Sequence, residues 1–169
     1  MDAIKALMTR RSVRKFRDIE ISSENIKLLL AAGMQAPSAN NEQPWHFIVI
    51  DKRDLMNRIT EFHPHAKMLL EARLAIIVCA FVSQEKKWDM WVQDCSAATQ
   101  NILLAAHITG LGAVWLGVHP RQERINGVKD MFDLPEEIKP FSIIAIGHPA
   151  EVVEPVDRFN QEKVHMNKW

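Results

Sequence analysis

The segment LAIIVCAFV, residues 74–82, constrains the fold of this chain more than any other part of its sequence. All of its residues are apolar, and several are β-branched. A strand with one face in water alternates polar with apolar residues, so this run predicts a strand that is buried on both faces. We therefore expect it inside a sheet that other elements cover.

Hydrophobic periodicity and turn residues predict the elements around this strand. Further strands are predicted at WHFIVI (45–50), AVWLGVH (113–119) and FSIIAIG (141–147). Helical stretches are predicted at the N-terminus, from Ser22 or Ser23 to Pro37, near 52–61, from Pro64 to about 73, and over 88–109 and 121–131. This order predicts an α/β or α+β sandwich with helices over one sheet.

The 88–109 helix is apolar on more than one side, which predicts that it is buried all round. The rest of the chain could bury it, and so could a dimer interface. Trp88 and Trp91 lie at its start. They are interpreted either as a lid over a pocket or as part of a dimer seam.

Length and charge exclude several classes of protein. The chain has 169 residues, the length of one domain. Its 21 Lys and Arg balance its 21 Asp and Glu, whereas a general nucleic-acid or membrane-surface binder carries a basic excess. No signal peptide is recognisable, and no apolar run reaches the ~18–20 residues of a membrane span. We expect a cytoplasmic protein that binds neither nucleic acid nor membrane.

The densest chemical signal is RRSVRKFR, residues 10–17. Arginine guanidinium groups bind phosphate through two parallel hydrogen bonds, and the hydroxyl of Ser12 can add another. The segment therefore predicts a phosphate site. A solvated charged loop after the first helix is the alternative, because most charge runs are of that kind.

A second signal is the polar loop APSANNEQPW, residues 36–45. Its Asn40, Asn41 and Gln43 offer amide donors and acceptors that suit the edge of a planar heterocycle. The same amides could instead satisfy the backbone of their own loop. A third signal is GLGAVWLGV at 110–118, where Gly112 and Gly117 allow close approach of a ligand to the backbone.

Other chemistry is not indicated. There is no Rossmann or P-loop glycine motif, no serine-hydrolase elbow and no tyrosine. Cys79 and Cys95 lie in apolar sequence and are interpreted as buried thiols. His63 and His65 flank Pro64, a turn that we expect to expose both rings, and no histidine has the spacing of a metal ligand. No metal site is predicted.

Taken in order, these pieces resemble the FMN-dependent nitroreductase family. The resemblance rests on RRSVRKF, APSANNEQPWHFIVI, DCSAATQNILLAAHITGLGAVWLG and IGHPAE, and it covers nearly the whole chain. It implies an α+β three-layer sandwich with a mainly antiparallel sheet, in an intertwined homodimer. It implies one FMN-binding domain, 1–169, whose C-terminal extension, 150–169, packs on the partner subunit.

The resemblance also implies a cofactor, a reaction and a site. Electrons would pass from NADH or NADPH to FMN, and then to a nitroaromatic, a quinone or a similar planar acceptor by a ping-pong mechanism. The phosphate, ribityl chain and pyrimidine edge of FMN would be held by Arg10, Arg11, Ser12 and Arg14, with Arg158 on the phosphate. The partner subunit would supply Pro37, Ser38, Ala39, Asn40 and Gln43. A backbone N–H near flavin N5 would come from Leu116 and Gly117.

Alternatives stay open at this point. One is a dimer that stores or senses FMN without turnover. Another is a flavin enzyme with a different substrate, in a dehalogenation or a flavin-consuming reaction. A third is a dimer whose arginine-rich loop binds another phosphate ligand. The chain departs from the family at 71–73 and at His148, and it lacks the inserted helices of larger members. These departures leave the acceptor open.

Overall fold

The computed structural model describes residues 1–82 and 90–169. Within that part of the chain lie five helices and five strands. The helices are α1 (Ala3–Thr9), α2 (Ser23–Met34), α3 (Arg53–Phe62), α4 (Trp91–Ile108) and α5 (Gln122–Met131). The strands are β1 (Phe16–Arg17), β2 (Trp45–Ile50), β3 (Leu74–Phe81), β4 (Gly112–Gly117) and β5 (Ile138–Pro149). Short 3₁₀ turns lie at Ala39–Asn41, Lys67–Leu70 and Gln161–Lys163.

The sheet is antiparallel throughout its named strands. Strand β3 pairs with β2 on one side and β5 on the other, while β5 also pairs with β4 and β1. Every residue of β3 except Phe81 is buried, as its unbroken apolar sequence predicts. One parallel bridge, between Ser12 and Ala113, fastens the segment after α1 to β4.

Alternate residues of β3 face two separate cores, which makes the fold three layers deep. Ile76 and Val78 point into a core shared with α2 and α4. Ile77 and Cys79 point into a second core shared with α3 and α5. The expected α+β sandwich with a mainly antiparallel sheet is confirmed.

Helix α4 is buried on several sides, as its sequence predicts. It packs against α2 and also contacts β3, β4 and β5. Gly33 of α2 allows the two helices to approach, because a Cβ there would lie 3.0 Å from the side chain of Ile102. Ser22 caps α2 by accepting a hydrogen bond from the N–H of Asn25. No helix in the described residues is long and apolar enough to span a membrane.

Three expected elements differ in extent from the prediction, and one strand was not expected. The unexpected strand is β1, which lies inside the basic segment. Strand β5 is longer than 141–147, because its pairing with β3 continues past a register shift that skips Phe141 and pairs Pro140 with Cys79. Residues 64–73 contain only a 3₁₀ turn. Helix α4 begins at Trp91, and Trp88 lies outside the described residues.

The two glycines of β4 have different surroundings, and only one of them is required by packing. A Cβ at Gly112 would lie 2.7 Å from Val13 Cγ1. Val13 cannot withdraw easily, because its N–H is bonded to the carbonyl of Ala113 at 3.1 Å. A Cβ at Gly117 would meet nothing within 4 Å. Gly112 is therefore required by internal packing, whereas Gly117 borders open space.

We predict that Gly112→Ala lowers the free energy of unfolding by about 1–3 kcal/mol, the usual cost of overpacking. Urea denaturation measures this difference. Gly117→Ala is the matched control on the same strand, and we expect it to keep or slightly raise stability, because alanine loses less backbone entropy on folding. Equal stability of the two variants would contradict the assignment.

Candidate functional site

Three arginines come together where α1 ends. Arg10 is the residue after the helix and is half-buried, and Arg11 follows it. Burial lowers the pKa of Arg10, and the neighbouring charges of Arg158 and Arg11 lower it further. No ion pair between described residues involves any of the three. In the described part of the chain these three charges are not paired with a carboxylate, an arrangement that favours an anionic ligand.

The C-terminal segment is tied to this cluster by hydrogen bonds. Arg11 Nη1 donates to the carbonyl of Glu154 at 2.9 Å. The backbone N–H of Arg14 donates to Glu151 Oε1 at 2.8 Å. These two bonds lay residues 151–154 along the basic segment. Arg158 follows in the same tail, and its charge acts on Arg10, more than 140 positions away in sequence.

A cavity of about 550 Å³ opens beside the basic segment. This is within the size range of small-molecule sites. Ser12 and Arg14 line it, together with Lys15, Lys67, Met68, Glu71, Glu151 and Val153. Lys67 was missed by sequence reasoning. It is a single cation in the turn HPHAKML, and only the 3₁₀ turn at Lys67–Leu70 brings it to the basic segment.

The end of β4 is held by two side chains from the α3 and α5 layer. The carbonyl of Gly117 lies 3.0 Å from His63 Nε2 and accepts a hydrogen bond from Arg124 Nη1 at 2.7 Å. Leu116, just before it, is buried in the same core. The face of Gly117 is open, so a flat ligand could approach its backbone closely.

His63 is buried, with 1% of its surface exposed, which corrects the expectation that Pro64 would expose both histidines. His65 is exposed as expected. Burial lowers the pKa of His63, and the nearby charge of Arg124 acts in the same direction. The sequence gives no sign of this contact, because Gly117 lies 54 positions away.

The loop Pro37–Gln43 is held by hydrogen bonds within the loop and to helix α4. Asn40, Asn41 and Gln43 have φ values of 52°, 55° and 49°, in the left-handed region. The hydroxyl of Ser38 accepts from the N–H of Gln43 at 3.0 Å, and the N–H of Ala39 donates to Asp94 Oδ1 at 3.0 Å. The Asn40 side chain is exposed. Backbone groups here are satisfied by Ser38 and Asp94, which leaves the Asn40 amide facing solvent.

Within one chain, the structure does not bring this loop to the arginines. Among the described residues, no hydrogen bond or cavity lining joins Pro37–Gln43 to the segment Arg10–Arg14. Pro37, Ser38, Ala39, Asn40 and Gln43 therefore form one group. The remaining predicted contacts form the other, centred on the basic segment and β4 (Arg10, Arg11, Ser12, Arg14, Leu116, Gly117 and Arg158).

Trp91 belongs to an aromatic cluster at the start of α4. Its ring lies edge-on to His119, with centroids 4.8 Å apart, and also meets Phe141 at 6.2 Å. A cavity of about 410 Å³ lies against this cluster, with Lys129 and Lys139 on its wall. Trp91 thus borders a pocket in the single chain.

Comparisons with known proteins give matches that together cover the whole length of the chain. The model of the nitroreductase family matches residues 7–73 and 61–148. A protein of Methanothermobacter thermautotrophicus, provisionally named NADH dehydrogenase/NAD(P)H nitroreductase, is 49% identical over 169 residues. That alignment covers 100% of this chain and 88% of the relative.

Two solved structures share the fold at appreciable identity. An FMN-dependent nitroreductase of Clostridium difficile superposes with a TM-score of 0.91 at 30% identity, covering 98% of this chain and 99% of its own. A protein of Desulfovibrio desulfuricans, solved in complex with FMN and provisionally assigned as a nitroreductase, gives a TM-score of 0.83 at 31% identity. It covers 100% of this chain and 99% of its own.

Proposed function

Since the chain belongs to the nitroreductase family, we propose that it is an FMN-dependent oxidoreductase that takes electrons from NADH or NADPH. The observation that carries the proposal is the cluster of Arg10, Arg11 and Arg158, with which no carboxylate of the described residues forms an ion pair. The neighbouring Ser12 and Arg14 line a cavity of about 550 Å³. A relative of matching length and 31% identity is solved with FMN.

The residues present fit this cofactor. The FMN phosphate carries up to two negative charges, and the arginine cluster supplies more than one cation for it. Ser12 and Arg14 line the adjoining cavity, where they can reach the ribityl chain and the pyrimidine edge of the ring. Lys67 adds a further cation to the wall of this cavity. The open face at Gly117 leaves room for a flat ring against β4.

When bound, FMN supplies the hydride chemistry at its N5 atom, so the chain needs no acid–base pair of its own. The role of the protein is to bind and orient the ring. In the proposed arrangement Leu116 and Gly117 would lie along the isoalloxazine, and the N–H of Gly117 would be the donor near N5. Cations near the pyrimidine edge favour negative charge on the ring.

We propose a ping-pong cycle in which the nicotinamide leaves before the acceptor enters. Both would use the same face of the ring, because the chain would cover the other. Planar acceptors such as nitroaromatics and quinones suit such a face. This part of the proposal rests on the open surface at Gly117.

The loop Pro37–Gln43 completes the site from a second copy of the chain in our proposal. Its exposed Asn40 and Gln43 would reach the cofactor of the partner, since they do not reach the arginines of their own chain. A homodimer is further supported by apolar surface. Ile4, Leu7 and Met8 of α1 are exposed, and in the tail Phe159 is 73% exposed and Trp169 fully exposed.

We predict that the double variant Arg10→Ala, Arg158→Ala binds FMN a few kcal/mol more weakly, because a hydrogen bond to a charged group contributes about 1.5–3 kcal/mol. This raises Kd by more than about a hundredfold. Titration of the apo-protein with FMN, followed by flavin fluorescence, measures it. Arg58→Ala, on an exposed arginine of α3, is expected to keep the affinity of the wild type. Unchanged affinity in a folded double variant contradicts the phosphate site.

We predict that the chain sediments as a dimer of about twice its 19.4 kDa. Removal of residues 161–169 keeps Arg158 but deletes the exposed Val164, Met166 and Trp169. The truncated chain should keep its far-UV circular dichroism and dissociate at protein concentrations where the full chain stays dimeric. A full-length monomer at micromolar concentration would refute the shared site.

A further inference from the structure

The carbonyl of Gly117 is fastened by two side chains that the proposed flavin contacts do not include. His63 closes α3 as its C-terminal cap, and Arg124 lies in the first turn of α5. Both reach the same oxygen, at 3.0 Å and 2.7 Å. We call this pair of contacts the Gly117 clamp. Through it, two helices fix the end of β4 immediately before the chain turns at His119 and Pro120.

The hydrogen bonds of His63 define which of its ring nitrogens carries the proton. The backbone N–H of His65 lies 3.3 Å from Nδ1, so Nδ1 is the acceptor. The proton is therefore on Nε2, which donates to Gly117. Because burial lowers the pKa of His63, the ring is neutral near pH 7 and holds this tautomer. The clamp thus consists of one neutral and one charged donor.

The ladder of β4 shows which way the other backbone group of Gly117 faces. In an antiparallel pair, the N–H and C=O of one residue point to the same edge, and successive residues alternate. Val118 donates inward to Phe141 at 3.2 Å, and the carbonyl of Ala113 points outward to Val13. Gly117 lies four residues after Ala113 in the same strand, so its N–H and C=O point to the same edge as those of Ala113. Its N–H therefore faces the outer edge of β4, beside the clamped carbonyl.

The outer edge of β4 is also where the basic segment runs. Val13 is bonded there to Ala113, and its neighbours Ser12 and Arg14 line the 550 Å³ cavity. Outside the strand ladder, no hydrogen bond of the Gly117 N–H is found in the described residues. The clamp occupies the carbonyl and leaves the N–H available on the side from which the cofactor would approach.

We propose that His63 and Arg124 are positioning residues: by occupying the carbonyl of Gly117, they leave the N–H of the same residue as the group that this edge of β4 offers to the flavin. This inference rests on the proposed function. Oxidised flavin has a hydrogen-bond acceptor at N5, whereas N5 of the reduced ring carries a hydrogen. An N–H fixed toward N5 therefore favours the oxidised form. Without the clamp, the carbonyl of Gly117 would be a free acceptor on the same edge, and the N5–H of the reduced ring could donate to it, which would favour the reduced form.

The test compares binding of oxidised and reduced FMN in His63→Leu and the wild type. We expect Kd for oxidised FMN to rise about tenfold more than Kd for reduced FMN. For a two-electron couple this corresponds to a midpoint potential about 30 mV more positive. General loosening of the site would weaken both forms alike and leave the potential unchanged. His63→Gln keeps an N–H donor at nearly the position of Nε2, and we expect it to restore most of the difference.

A second pair of variants tests the contact of Arg124 with the Gly117 carbonyl. It can be used if His63→Leu does not fold. Arg124→Met should bind oxidised FMN several-fold more weakly than Arg121→Met. The latter removes the same charge from an exposed position three residues earlier. An unchanged potential in folded His63→Leu, or equal affinities of the two arginine variants, overturns the inference. Absence of FMN binding by the wild type would overturn the proposed function itself, and the wild-type titration shows this first.

Discussion

Burial of β3 on both faces is the constraint on which the rest of the structure depends. A strand with no polar face must be covered twice, and α2 with α4 on one side and α3 with α5 on the other supply the cover. The α3 and α5 layer then lies under the end of β4, where His63 and Arg124 meet Gly117. A requirement of the hydrophobic core thus fixes the polar geometry of the site.

The second organising feature is positive charge that no carboxylate of the described residues pairs with. The chain as a whole is neutral, yet Arg10, Arg11 and Arg158 lie near the end of α1, and burial, together with the charges of Arg158 and Arg11, lowers the pKa of Arg10. Such an arrangement costs stability in the absence of an anion and regains it when an anion binds. Hydrogen bonds from Arg11 and Arg14 to the tail hold the cluster together from a distant part of the sequence.

The sequence predicted the elements whose formation depends on neighbouring residues. The apolar run of β3, the Ser22 cap and the multi-sided apolar pattern of α4 each led to the correct element. The contacts of His63 and Lys67 could not be predicted, because each side chain meets a segment that is distant in sequence. His63 meets the end of β4, and Lys67 lies on the cavity beside the basic segment. Gly112 and Gly117 look alike in sequence. In the structure, Val13 packs against Gly112, whereas the space beside Gly117 is open.

In the proposed function, this chain carries electrons from a nicotinamide through bound FMN to an acceptor. The most direct test is an anaerobic titration of the FMN-loaded protein with NADH and with NADPH, followed by its visible absorption. We predict that the flavin absorbance bleaches with at least one nicotinamide and recovers when a quinone or nitroaromatic is added. An FMN-loaded protein whose absorbance neither nicotinamide bleaches would contradict the account.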